Sequence, residues 1–122
     1  MSWNKNAAVS YIRSHANSSS QNNCVRYTRD AIAAGGLNLV YTLQARNYGG
    51  PLINAGFVEI SPSSALIAGD IAIIQPCAGG NSAGHMAMYD GTAWFSDFRQ
   101  RSIYPSDAYQ SAKPAYKIYR KK

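Results

Sequence analysis

Gly84-His85-Met86-Ala87-Met88-Tyr89-Asp90-Gly91 is the stretch whose reading decides the fold. A run of strand-forming residues ends in an Asp-Gly pair, the composition of a hairpin turn. It predicts a strand from His85 to Tyr89 and a partner strand over Thr92 to Phe98. Upstream, Asp70-Ile71-Ala72-Ile73-Ile74 is apolar without alternation, as in a strand covered on both faces. Phe57 to Ile60 and Tyr116 to Arg120 read as further strands.

Before the strands the period is helical. From Asn4 to His15, residues Ala7, Ala8, Tyr11, Ile12 and His15 fall at helical spacing, and the polar segment Ser18-Ser19-Ser20-Gln21-Asn22 ends the run. A second helix opens at Cys24, with Asn22 or Asn23 as its cap. Val25, Thr28, Ala31 and Ile32 lie along one side, and Gly35-Gly36 is the stop. A short helix over Tyr41 to Asn47, a break at Gly49-Gly50-Pro51 and a helical turn to Ala55 are expected before the first strand. The fold class is α+β: N-terminal helices, the second opening with the cysteine, packed on a small antiparallel sheet, with residues 1–122 as a single domain.

The net charge of +6 points to an anionic partner such as nucleic acid, a membrane surface or the bacterial cell wall. The charge is scattered, with Arg120-Lys121-Lys122 as the one run. The start, Met1 to Asn6, lacks the apolar stretch of a secretory signal, and Ala65 to Ile74 is too short and too broken by Gly69-Asp70 to span a bilayer. Synthesis in the cytoplasm without a signal peptide is the expectation.

The chemistry resides in Cys24 and His85. A thiol at a helix N-terminus feels the positive end of the dipole and the free amides of the first turn. A neighbouring imidazole can take its proton, an arrangement that lowers a thiol pKa toward roughly 3.5–7.5. The hairpin loop selects the group that orients the ring. A three-residue loop sets His85 opposite Asp97, a two-residue loop sets it opposite Ser96, and Gln100 lies further off. On chemistry a carboxylate is the better partner for an imidazolium, which favours Asp97. Cys77, the other cysteine, reads as a loop thiol. His15 reads as a helix-end residue, Asp30 and Asp70 as structural, and Tyr27 and Trp94 as core aromatics. The Cys and His spacings do not form a zinc pattern and no glycine loop opens a helix, so neither a metal nor a cofactor is expected.

A cysteine opening a helix after a serine-rich segment, then Gly69-Asp70-Ile71-Ala72-Ile73-Ile74, then Gly84-His85-Met86-Ala87-Met88-Tyr89, resembles the CHAP and NlpC group of papain-like peptidoglycan amidohydrolases over nearly the whole chain. Within that group the chain looks most like the compact amidase effectors injected by type VI secretion systems. The resemblance implies Cys24 as nucleophile, His85 as base and Asp97 as orienter, with Ser96 as the alternative third residue. It further implies cleavage of an amide in the stem or cross-link peptide, delivery to the periplasm of target bacteria and a cognate immunity protein. Neither nucleic-acid binding nor membrane insertion follows from it. Two other readings use the same features: a non-enzymatic basic module binding cell wall or nucleic acid, and a thiol transferase or deamidase on the same fold.

Overall fold

The first helix, α1 (Lys5–His15), starts where the side chain of Asn4 accepts the Ala7 amide at 3.0 Å. The second, α2 (Cys24–Ala34), shares a core with α1, Ala31 and Ile32 clustering with Ala8, Val9 and Ile12, while Thr28 is buried against the Met86 carbonyl of the sheet. The Asn4 amide, bonded to the Gly35 carbonyl at 2.8 Å, sews the start of one helix to the end of the other. A computed structural model describes residues 3–121 of the chain.

Five antiparallel strands follow: β1 (Phe57–Ile60), β2 (Ile71–Ile74), β3 (His85–Tyr89), β4 (Trp94–Phe95) and β5 (Tyr116–Lys121), in the spatial order β1-β5-β2-β3-β4. All of β2 is buried, as its unbroken apolar run requires, because the sheet is covered on both sides. Ile71, Ile73, Met86 and Met88 meet the helices. The alternate residues Ala72, Ile74, Ala87 and Ile118 form a second core with Trp94 and with Tyr109 from a short helix near the C-terminus (Asp107–Ala112).

The structure corrects the sequence reading in three places. Tyr41 to Asn47 holds only a single 3-10 turn, Ala45–Asn47. The glycines expected to break the chain instead begin α3 (Gly49–Asn54), where Pro51 falls in the first turn and removes no intrahelical bond. The third correction bears on the site. Tyr89 pairs with Trp94 and Met88 with Phe95, so the loop is the four residues 90–93, neither three nor two. Asp90 sets that length: its Oδ1 accepts the amides of Thr92 (2.8 Å) and Ala93 (2.6 Å). The expected strand from Thr92 to Phe98 stops at Phe95. There the chain reverses, Ser96 donating to the Phe98 carbonyl at 3.0 Å and Gln100 to that of Trp94 at 2.8 Å.

The residues read as structural lie away from the helix start. Asp70 is fully buried and ion-paired to Arg120 at 2.8 Å, and Asp30 lies 3.9 Å from Arg26. His15 is exposed and stacked on Tyr11 with ring centroids 3.8 Å apart. Both cysteines are free. Among the described residues no helix is long and apolar enough to cross a membrane.

Asp90 also pins the hairpin to α1 through Arg13, whose Nε donates to Oδ2 at 2.8 Å. Burial alone would raise the Asp90 carboxyl, but the Ala93 amide, Arg13 and Thr92 outweigh it and hold the pKa at about 2. Because the folded value lies below the unfolded one, the stabilisation is present above pH ~4 and is lost as pH falls toward about 2. Asp90→Ala is expected to lose about 2 kcal/mol at pH 7 and to show a flatter fall in stability between pH 4 and 2. Urea unfolding at a series of pH values measures both.

Candidate active site

Asn23 occupies the cap position of α2, yet its side chain makes no cap bond. The orphan amides at this end are taken from across the molecule. Asp97 Oδ2 accepts from the backbone of Gln21 at 2.6 Å and of Asn23 at 3.0 Å, while Ser96 Oγ donates to Oδ1 at 3.3 Å. Asn22, between the two bonded amides, takes the left-handed conformation (φ 59°), which asparagine tolerates better than most residues. The reversal after β4 is therefore what fixes the backbone presenting Cys24.

His85 is placed by the glycine before it. Gly84 has φ 80°, and a Cβ there would come within 2.5 Å of the Ile74 carbonyl, so β3 lies flush against β2 only with glycine at this point. The ring is then held by Gln100, whose Oε1 lies 2.7 Å from Nε2. The amide is oriented by its other end, which donates to the carbonyls of Ser102 (3.0 Å) and Ile103 (3.1 Å). With the oxygen facing the imidazole, the proton sits on Nε2 and the lone pair on Nδ1.

Cys24 and His85 line one cleft of about 410 Å³ together with Asn22, Asn81 and Tyr109. A second hollow of about 370 Å³ lies on the other side of Cys24, toward Arg29 and Tyr41. A larger cavity of about 690 Å³, on the Trp94 and Ile118 face, reaches neither Cys24 nor His85.

Electrostatically the pair rests neutral. Burial pushes the Cys24 thiol up to about 11; hydrogen bonding from the main chain of Met86 opposes this and the Asp97 charge adds to it. The lowering expected from the helix terminus is thus outweighed by desolvation. Burial also lowers the His85 pKa, against the Gln100 hydrogen bond and the Asp97 charge.

Of the residues singled out in the sequence, Cys24 and His85 share the cleft, while Asp97 and Ser96 sit beneath the start of α2. Asp97 acts on both cleft residues through its charge, but the ring's hydrogen-bond partner is Gln100. That pairing is invisible to strand counting, because it arises from the reversal at residues 96–99. Arg29, beside Cys24, carried no signal in the sequence beyond its charge.

No family model matches the chain, and neither does any curated protein. Among solved structures it is similar to the type VI effector Tae3 of Ralstonia pickettii in its native complex with the immunity protein Tai3. That match has 43% identity and a TM-score of 0.91, over 98% of this chain and 100% of that one. The selenomethionine form of the complex matches with 44% identity and a TM-score of 0.88, covering 93% and 99%. The chain belongs to the Tae3 family of type VI effectors. Its papain-like α+β fold is that of Tae3, and the likeness extends to this effector family, not to CHAP or NlpC enzymes in particular.

A neutral resting thiol has a direct chemical consequence. Alkylation of Cys24 by iodoacetamide, followed by mass spectrometry of its peptide, is expected to be slow at pH 7 and to keep rising through pH 9 toward about 11. A plateau reached below pH 7 would mean a resting thiolate.

Proposed function

We propose that this Tae3-family chain is an antibacterial peptidoglycan amidase in which Cys24 is the nucleophile and His85 the general base. The observation that carries the reading is the locked tautomer of His85. With Nε2–H committed to Gln100, Nδ1 is the ring nitrogen left with a lone pair, and His85 lines the cleft that Cys24 also lines.

In the reaction, Nδ1 removes the thiol proton as Sγ attacks the carbonyl carbon, so the neutral pair need not ionise beforehand. The oxyanion forms at the start of α2, where the Cys24 backbone N–H is a donor. Collapse of the intermediate breaks the C–N bond, and the imidazolium returns its proton to the leaving amine. Water activated by the same nitrogen then cleaves the thioester, releasing a carboxylic acid and restoring the thiol. Gln100 keeps the ring in one tautomer, and the Asp97 charge favours the imidazolium.

The substrate assignment rests on the family and on the net charge of +6, which suits a polymer whose stem peptides carry free carboxylates. The amide cut lies in the stem or cross-link peptide. Neutralisation by a cognate immunity protein follows the precedent of Tae3 with Tai3, and delivery to the periplasm of a target cell is what a peptidoglycan substrate requires.

Mass spectrometry of purified peptidoglycan after incubation is expected to show new carboxyl and amine ends with the wild type and none with Cys24→Ala. A transferred group in place of free ends would mean a transferase, and an unchanged polymer would leave only binding. Fusion to an export signal is expected to make the chain lytic, while cytoplasmic expression does no harm.

The orienting role of Gln100 is tested separately. Gln100→Leu is expected to reduce kcat by about 10- to 100-fold with little change in KM, because the ring keeps its place but not its tautomer. Asp97→Asn is expected to cost thermal stability as well as turnover, since the Gln21 and Asn23 amides lose a charged acceptor. Steady-state kinetics and melting curves on both variants distinguish the two roles.

A further inference from the structure

The hollow on the far side of Cys24 contains an arginine that is fixed in place but under-used. Arg29 donates through Nη2 to the Leu39 carbonyl at 3.0 Å, and its guanidinium carbon lies 5.2 Å from the centroid of the Tyr41 ring. Its Nε is buried with no hydrogen-bond partner, the one such side-chain atom among the described residues. None of the ion pairs among the described residues includes Arg29. With Nε shut inside the protein and Nη2 held by the Leu39 carbonyl, the guanidinium is fixed in orientation, and its remaining nitrogen, Nη1, has no acceptor among the described residues and is open to one from outside.

The surroundings indicate which acceptor. Arg26 lies on the same side of the hollow, three residues earlier on α2, with a largely exposed side chain and only a loose 3.9 Å approach to Asp30. The other polar residues lining the space are the amides Asn22, Asn23 and Asn81, and no carboxylate lines it. Two guanidinium groups, neutral amides and the aromatic face of Tyr41 form a site of one sign. A planar anion can meet a guanidinium with paired hydrogen bonds, which neither a neutral amide nor a hydroxyl can match.

We propose that this hollow is a carboxylate subsite, in which Arg29, assisted by Arg26, binds a free carboxylate of the substrate on one side of the scissile amide. The inference deepens the amidase reading and rests on it for the role of Cys24 as the reacting group. It makes the enzyme selective for stem peptides whose carboxylate next to the cut is free over those in which it is amidated.

The test uses the thiol itself, so that it does not depend on peptidoglycan being the substrate. In a Cys77→Ser background, Cys24 is inactivated with N-bromoacetyl-D-glutamate and with the corresponding uncharged diamide. Sγ displaces bromide from the methylene carbon, and the reagents differ only in carboxylate charge. Wild-type Cys24 is expected to react about 10- to 100-fold faster with the acid, the range of a charge-assisted pair. Arg29→Gln is expected to abolish most of that preference, read as the ratio of the rates with acid and diamide in the same protein, and Arg29→Lys to restore part of it. Lys117→Gln, the same loss of charge on β5, is expected to leave the preference intact. Equal rates with acid and diamide in the wild type overturn the proposal, whatever the variants do. So does an Arg29→Gln protein that melts normally and keeps the preference. Digestion of free and amidated muropeptides is the parallel assay. Failure to cut either counts against the amidase reading, whereas equal cutting of both counts against the subsite alone.

Discussion

The carboxylate of Asp97, fully buried and receiving the backbone amides of Gln21 and Asn23, is the contact on which the site depends. A buried anion is tolerable only if its lone pairs are met, and here two donors come from the segment entering α2 and a third from Ser96. The arrangement joins two parts of the chain more than seventy residues apart. It replaces the local side-chain cap that Asn23 does not make. Loop and helix start are thus set by the sheet, and Cys24 takes its position from β4 as much as from its own helix.

The same charge divides its effects between the two cleft residues. It opposes the thiolate of Cys24 and favours the imidazolium of His85. In the proposed reaction the sulfur becomes bonded to carbon as the ring becomes cationic, and the negative charge moves to the carbonyl oxygen at the helix terminus. The unfavourable half of the interaction therefore fades as attack proceeds while the favourable half grows. An interaction stronger in the transition state than in the resting state is the kind that raises turnover. A resting thiol also suits a protein that must reach its target without being oxidised on the way.

Much of this was legible in the sequence where local pattern and tertiary packing agree. The unbroken Ile71 to Ile74 run, the His85 to Tyr89 strand and the periodic faces of both long helices are such cases, and their positions follow from period alone. The loop after Tyr89 failed because an Asp-Gly pair marks a turn without fixing its length, and the Asp90 side chain builds a longer one. Gln100 was beyond strand counting because the chain doubles back at residues 96–99 before reaching the ring. The acidity of Cys24 was misjudged for a related reason. A helix terminus can be read from sequence, whereas the desolvation that outweighs it depends on what the sheet stacks over the sulfur.

The placing of β5 between β1 and β2 has a consequence for when the sheet is complete. The last strand in chain order lies inside the sheet, and Ile118 pairs with both Ile60 and Ala72. Until it arrives, β2 has β3 on one side and an open edge on the other, while β1 has no partner strand. A ribosome-bound nascent chain emerges in sequence order, so a chain grown just past His85 carries Cys24 and His85 but only part of the five-stranded sheet. The sheet is complete only once the C-terminal strand has inserted, so its central pairing is the last that a chain made from its N-terminus can form.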